Sequence, residues 1–302
     1  MFSYRHGFHA GNHADVLKHM VLVQLLAYLN QKDAAYMVID THAGAGLYQL
    51  DSDDAMKSGE SIEGIAKLWD RDDLPPVVAA YVDEIRAMNP AGNMRHYPGS
   101  PFLAERVMRE QDRLRLFELH PTDSRLLADN VRKLEAHAAA NGVRSRGKRI
   151  IAERADGFAA LKALLPPPSR RGLVLIDPPY EDKDDYRKVK VALEDAQKRF
   201  VSGTYAVWYP VLGRLESQQL PERLKRIAQS EWLHVTLDIG ANDADARGLT
   251  ASGMFIINPP WTLEATLRDT MPWLTEMLAR DGSARYQLQS GSAAKPVKKE
   301  RE

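Results

Sequence analysis

The residues best suited to chemistry close one short apolar run, Leu173-Val174-Leu175-Ile176-Asp177-Pro178-Pro179-Tyr180. An uncharged run of this kind reads as a strand buried on both faces, and the two prolines end it because neither can donate to a ladder. Asp177 then stands at the carboxyl end of a central strand, the edge at which open α/β sheets bind ligands. One carboxylate, the Pro178 carbonyl and the flat face of Tyr180 make two acceptors and a stacking platform. That set suits a planar heteroaromatic ring carrying an exocyclic amino group. Taken alone, Asp-Pro-Pro is also a common loop sequence, and an aspartate at a strand end often just caps the next helix.

Three further strand ends carry acids. Asp40 ends a strand over 35–40 and leads into Thr41-His42-Ala43-Gly44-Ala45-Gly46. These glycines let backbone approach a ligand closely. Gln49 stands where the dinucleotide fingerprint has its third glycine, which disfavours a nicotinamide or flavin site. Glu118 lies near the end of a strand over 113–120, where a carboxylate can accept from both hydroxyls of a ribose. Asp156-Gly157-Phe158 follows a strand over 148–154 and can offer acceptor and N–H groups to an adenine edge, or simply cap a helix.

These residues need a sheet to hold them. The four strands named, with 204–210, 233–238 and 253–260, make an α/β sheet of about seven strands with helices on both faces. The last two read as an antiparallel pair at one edge. A helix is predicted from about residue 12 or 13 to 29. The helical pattern over 61–69 and 76–88 forms a small inserted helical subdomain, and this insertion stretches the spacing from the glycine turn to Glu118 far beyond the usual roughly 20 residues. Ser100 and Pro101 read as the N-cap and first turn of a helix reaching 110. Residues 181–186 read as a charged, mobile loop before a helix over 189–200, and 262–278 as the last helix. The organisation expected is an N-terminal segment and first strand unit over 1–51, the insertion over 52–95, the rest of the domain over 96–282, and a disordered basic tail over 283–302.

Composition narrows the classes. Forty-one basic residues balance forty-one acidic ones, which argues against non-specific coating of nucleic acid but leaves room for a local basic face. There is no cysteine, so disulfides, thiolate nucleophiles and sulfur-ligated zinc are excluded and a cytoplasmic location is favoured. Four of the nine histidines, His6, His9, His13 and His19, fall in the first nineteen residues with Tyr4, Arg5 and Lys18. Without a closed ligand set a metal site is disfavoured, and an aromatic, cationic segment suits a polyanionic, base-bearing partner. Arg5, His6, His9, His13 and Lys18 are expected to form a cationic rim, with 144–154 and Arg170-Arg171 as additions. No stretch is long enough to span a membrane, and the start is too polar for a secretory signal.

Four acidic strand ends in this order resemble the Rossmann-type S-adenosylmethionine-dependent methyltransferases that act on exocyclic amino groups. Tyr4-Arg5-His6, the run from His9 to His19, the run from Asp40 to Gly46 and Tyr48-Gln49-Leu50 narrow the likeness to the bacterial 23S ribosomal RNA adenine-N6 methyltransferases of the RlmJ family. This resemblance implies that His19, His42, Ser100, Glu118, Asp156 and Gly157 contact S-adenosylmethionine, with Lys18 close by, and that Asp177 is catalytic and lies against the cofactor. It implies Tyr4 as an RNA contact, Pro178, Pro179 and Tyr180 as the amino-group pocket, and a monomeric enzyme acting on one adenine in domain V of 23S rRNA, preferably before assembly. The alternatives are a DNA adenine-N6 or cytosine-N4 methyltransferase, whose pocket presents the same amino group, and a non-catalytic RNA-binding protein on the same fold.

Overall fold

Alternation along the central strands decides the layering. In β1 (Met37–Asp40) Val38 faces one hydrophobic cluster while Met37 and Ile39 face the other, and in β6 (Gly172–Ile176) Leu173 and Leu175 alternate with Val174 and Ile176 in the same way. The computed structural model describes residues 6–51, 59–140, 148–240 and 248–293. Its main sheet adds β4 (Arg113–Phe117), β5 (Ile150–Glu153), β7 (Thr204–Pro210), β8 (Trp232–Asp238), β9 (Ala251–Ile257) and β10 (Arg285–Gly291), and β2 (Leu47–Gln49) pairs with β3 (His96–Pro98) in a separate ribbon. The order β10-β8-β9-β7-β6-β1-β4-β5 is parallel from β7 to β5, with β9 antiparallel to both its neighbours.

One face carries α1 (His13–Asn30), α4 (Ser100–Val107), α5 (Pro121–Ala140) and α9 (Leu263–Leu278); the other carries α6 (Gly157–Leu164), α7 (Asp184–Arg199) and α8 (Leu215–Ile227). Asn12 caps α1, its Oδ1 accepting from the backbone of Ala14 and Asp15. Between β2 and β3 lie a 3₁₀ turn (Glu60–Glu63), α2 (Ala66–Trp69) and α3 (Pro76–Ala87). These do not build a core of their own. Ile65, Leu68, Val78, Tyr81, Val82 and Ile85 join the cluster formed by α1 and the sheet.

Several expectations are corrected. The sheet has eight strands rather than seven, because Arg285–Gly291 in the segment expected to be disordered pairs along the whole of β8, with Tyr286 and Leu288 packed on the core. The antiparallel pair β8–β9 forms, but the edge belongs to β10. Helix α7 starts at Asp184, inside the stretch read as a mobile loop, with Asp184 and Asp185 in its positively polarised first turn. Ser100 is the first helical residue rather than the cap, which is Gly99. Residues 294–302 and 141–147 lie outside the described residues.

Candidate active site

The chain runs outward from β1 to β4 and β5, then returns to lay β6 on the other side of β1, so the order reverses between β1 and β6. Crevices open beyond the carboxyl ends of strands at such a reversal. A cavity of about 670 Å³ lies there, and Asp177, Pro178, Pro179, Lys18, His19, His42, Ser100, Glu118, Asp156 and Gly157 all line it. That volume falls within the roughly 300–1,000 Å³ of small-molecule sites.

Asp177 is held from α1. Lys18 Nζ donates to Asp177 Oδ2 at 2.6 Å and pairs with Asp15 Oδ1 at 2.9 Å. Lys18 is 4% exposed, so burial works against its charge, but Asp15 and Asp177 together outweigh burial and hold it protonated. One turn of helix on from Asp15 lies His19, where His19 Nδ1 and Tyr97 Oη bond at 2.8 Å and Tyr97 Oη meets Tyr81 Oη at 2.8 Å. A buried polar chain thus ties the cavity wall to α3.

The opposite wall is built from the ends of β4 and β5. Glu118 Oε2 accepts from Gly44 N at 2.8 Å and Oε1 from His120 N at 2.7 Å, which fixes the carboxylate and leaves each oxygen a lone pair for a hydroxyl. Burial raises its pKa against the pull of these amides. Asp156 is the N-cap of α6, its Oδ1 accepting from Phe158 N at 2.9 Å, so the capping alternative and the site alternative coexist on one residue. Gly157 must be glycine for a packing reason: a Cβ there would stand 2.1 Å from Thr41 O. His42 bonds Thr41 Oγ1 at 2.8 Å and meets the Phe158 ring edge-on at 4.9 Å; burial lowers its pKa to about 4, so the ring is neutral at pH 7. Ser100 Oγ donates to Asp40 Oδ2 at 2.6 Å. Asp40 is 2% exposed, and burial raises its pKa to about 6 despite that bond.

Not every expected residue reaches the cavity. Tyr180 is 2% exposed, its hydroxyl donates to Trp208 O at 2.8 Å, and its ring packs on Tyr186 at 4.6 Å, so the stacking platform expected of it is turned into the core. A positive φ of 52° at Tyr180 turns the chain inward. Tyr4 and Arg5 lie outside the described residues. The cationic rim is corrected in part: Arg5, Arg144 and Arg146 lie outside the described residues, and Arg154 follows β5 at the edge where the cavity opens. His13 is buried, and burial lowers its pKa to about 4; Lys18 is neutralised by two acids; Arg149, Arg170 and Arg171 precede β5 and β6 and so sit at the opposite edge of the sheet. Besides the paired Lys18, the lysines that line the cavity among the described residues are Lys183 and Lys188, on the approach to and first turns of α7. Sequence reasoning missed Asp15, Thr41, Tyr48 and Trp208. Asp15, four residues before His19 and three before Lys18 on a helix, carried a spacing signal. Trp208 carried none, since Lys18 Nζ lies 5.6 Å from its ring only through the pairing of β7 with β6.

No group of three or more His, Asp or Glu placed to hold a metal occurs among the described residues, and no described helix is long and apolar enough to cross a membrane.

A sheet that reverses between β1 and β6, carries β9 reversed between β7 and β8, and gathers its acids at one edge defines a Rossmann-type methyltransferase fold. Residues 33–289 match the family model described as Ribosomal RNA large subunit methyltransferase D, RlmJ. The chain is 47% identical over 283 residues to Ribosomal RNA large subunit methyltransferase J of Escherichia coli K12, covering 94% of this chain and 96% of that protein, and 45% identical over 290 residues to the protein of the same name in Haemophilus influenzae, covering 96% and 98%. The crystal structure of protein LPL1258 of Legionella pneumophila superposes with a TM-score of 0.82 at 36% identity, covering 94% of this chain and 98% of that one. The chain belongs to the RlmJ family.

Proposed function

We propose that this protein transfers a methyl group from S-adenosylmethionine to the N6 amino group of an adenine in 23S ribosomal RNA. The observation that carries the reading is Asp177, fixed by Lys18 at the order-reversal edge of the sheet with Pro178 beside it, opening into a cavity walled on the other side by Glu118, Asp156 and Gly157. The names of its relatives support rRNA as the substrate class. The residues present fit the cofactor: Glu118 offers paired acceptors suited to a ribose, Gly157 leaves room where a side chain would not fit, and His42 and Phe158 present rings at the same wall. When bound, the cofactor supplies an electrophilic methyl carbon on a sulfonium.

The chain's own residues would then orient the acceptor. Flipping an adenine from its stack costs a few kcal/mol and is cheapest in a loop or single strand. With Oδ2 of Asp177 taken by Lys18, Oδ1 and the Pro178 carbonyl remain to accept the two N6 hydrogens, which draws the nitrogen lone pair out of ring conjugation. Positioning of this kind can supply roughly 7–11 kcal/mol of the barrier. Asp177 is also placed to accept the proton shed after transfer. Tyr4 is proposed as an RNA contact, and a monomer acting in the cytoplasm on protein-free rRNA follows from the same likeness.

The test is methyl incorporation from labelled S-adenosylmethionine into deproteinised 23S rRNA and, in parallel, into duplex DNA, with the product nucleoside identified. N6-methyladenosine in rRNA alone is the expected result. Methylation of DNA alone would install the rival reading, and no cofactor binding by calorimetry would leave a non-catalytic binding protein.

A further inference from the structure

We propose that the inserted helical segment is part of the substrate-recognition apparatus, and that Glu60 is a positioning residue that holds the N-terminal segment beside the mouth of the catalytic cavity. This rests on the reading that the acceptor is a nucleic acid approaching that mouth. The juxtaposition is between residues 7–12, which lead into α1, and residues 59–65, which lie in the insertion.

Glu60 meets two side chains of the N-terminal segment. His9 Nδ1 lies 3.0 Å from both carboxylate oxygens, and Asn12 Nδ2 donates to Oε2 at 2.9 Å. Asn12 is the same residue that caps α1 through its Oδ1, so one amide couples the insertion to the helix that carries Lys18 and His19. Burial disfavours charge on His9, but its bond to Glu60 outweighs this and raises its pKa, while the same bond lowers that of Glu60. The pair is therefore charge-assisted, the stronger class of hydrogen bond.

The backbones are also pressed together. Ile65 N donates to Gly11 O at 2.8 Å, and a Cβ at Gly64 would stand 2.1 Å from that same oxygen. Gly11 adopts φ of 77°, and its N–H donates to Asp15 Oδ2 at 2.9 Å, the acid whose other oxygen pairs with Lys18. The insertion is braced from behind, Lys67 Nζ reaching Glu63 at 3.0 Å and the Ala279 carbonyl at 3.2 Å past the end of α9. Upstream of this anchor the 3₁₀ turn His6–Phe8 runs beside the cavity, the position a Gly7 side chain would take lying 4.0 Å from Tyr48 Cδ1, and Tyr48 is a lining residue. A seat this close, fixed at His9 and with Gly7 beside Tyr48, sets residues 7–9 where an incoming strand would pass the mouth. Packing of α1 alone would not need a carboxylate at Glu60, since α1 is already capped and buried.

The experiment compares Glu60→Ala, Glu60→Asp, His9→Ala and the double variant with the wild-type full-length protein, using deproteinised 23S rRNA as acceptor. Glu60→Ala should raise KM for RNA about tenfold, the size expected of one charge-assisted pair. Turnover at saturating RNA and the cofactor Kd should stay within about twofold. Glu60→Asp should restore part of the KM, and the double variant should cost no more than the worse single one, because the two side chains act as one unit. If Glu60→Ala folds poorly, His9→Ala, at a half-exposed side chain, reads the same quantity. An unchanged KM for RNA in both single variants overturns the proposal, as does a parallel loss of cofactor affinity, which would mark the contact as structural. A wild-type protein that methylates no RNA overturns the functional reading instead, so the two failures are distinguishable.

Discussion

Lys18 is the most heavily committed side chain at the site, one buried ammonium shared between Asp15 and Asp177. Removing Asp177 leaves Lys18 paired with Asp15, so Asp177→Ala should fold and bind cofactor by calorimetry while its turnover on rRNA falls by about 10²–10⁴-fold, the range of a positioned acid or base. Turnover within a few-fold of wild type would reassign the role. Gly157→Ala is expected to weaken cofactor binding at least tenfold and to cost about 1–3 kcal/mol in urea unfolding, since its Cβ would meet Thr41 O at 2.1 Å and backbone must shift. Asp177 was legible in sequence because it follows an apolar run that could only be a central strand, and Gly157 because an Asp-Gly pair follows a recognisable, though edge, strand. Their decoy shows what pattern alone lacks. Asn258-Pro259-Pro260-Trp261 ends β9 with the same spacing, but β9 runs antiparallel to β7, so it emerges at the opposite edge, and Asn258 Nδ2 donates to the Val201 and Gly203 carbonyls. Direction in the sheet, a long-range property, separates the two. The burial of Tyr180 was equally hidden, because its partners Trp208 and Tyr186 are brought to it by β7 and α7.

At the scale of elements, two of the arginines read in sequence as additions to a nucleic-acid rim, Arg149 and Arg171, close helices instead. Arg149 pairs with Glu105 at 2.6 Å and donates to the carbonyls of Glu105, Met108 and Arg109 at and after the end of α4. Arg171 donates to Leu29 O at 2.8 Å near the end of α1 and to the Ala34 carbonyl, with its guanidinium over the Tyr36 ring. These are the orphan acceptors every helix end leaves behind. Arg149→Met is therefore expected to cost about 2–4 kcal/mol, since it strips several acceptors and leaves Glu105 without its partner. Hydrogen exchange should show the loss first in the last turn of α4, with RNA affinity unchanged at fixed stability; reduced affinity with an intact α4 would restore the rim. Strands with strict apolar runs were found at nearly their observed ends. The ribbon β2–β3, three residues a side, and β10, with alternating exposure and a polar flank, were not, because short or half-exposed strands exist only through their partners.

The whole molecule carries a pH dependence that follows from which rings it buries uncharged. His13 and His234, 2% and 5% exposed, and His42 at the cavity wall all have pKa values lowered by burial from 6.5 to about 4. In the unfolded chain each binds its proton near pH 6.5, in the folded protein only near pH 4. Between those values the unfolded state holds more protons, so stability falls as pH falls, by up to roughly 3 kcal/mol for each of the two buried rings. Asp40 opposes this. Its pKa is raised from 3.8 to about 6, so between those values the folded state holds more protons and stability rises as pH falls, by up to roughly 3 kcal/mol. The smaller upward shifts of His9, Glu118 and Asp185 act with Asp40, but among the large shifts three histidines against one aspartate leave a net loss, and urea unfolding at constant ionic strength should give a lower free energy at pH 4.5 than at pH 7. Asp40→Asn removes the compensating carboxyl and should make the fall steeper, whereas His234→Gln should make it shallower. A free energy that is flat from pH 7 to 4.5 in the wild type, or an Asp40→Asn profile shallower than wild type, would contradict the burial of neutral imidazoles beside a protonatable Asp40. The same assignment makes His42 a neutral partner at the cofactor wall throughout the physiological range, so the cofactor Kd measured by calorimetry should change less than about twofold between pH 6 and 8.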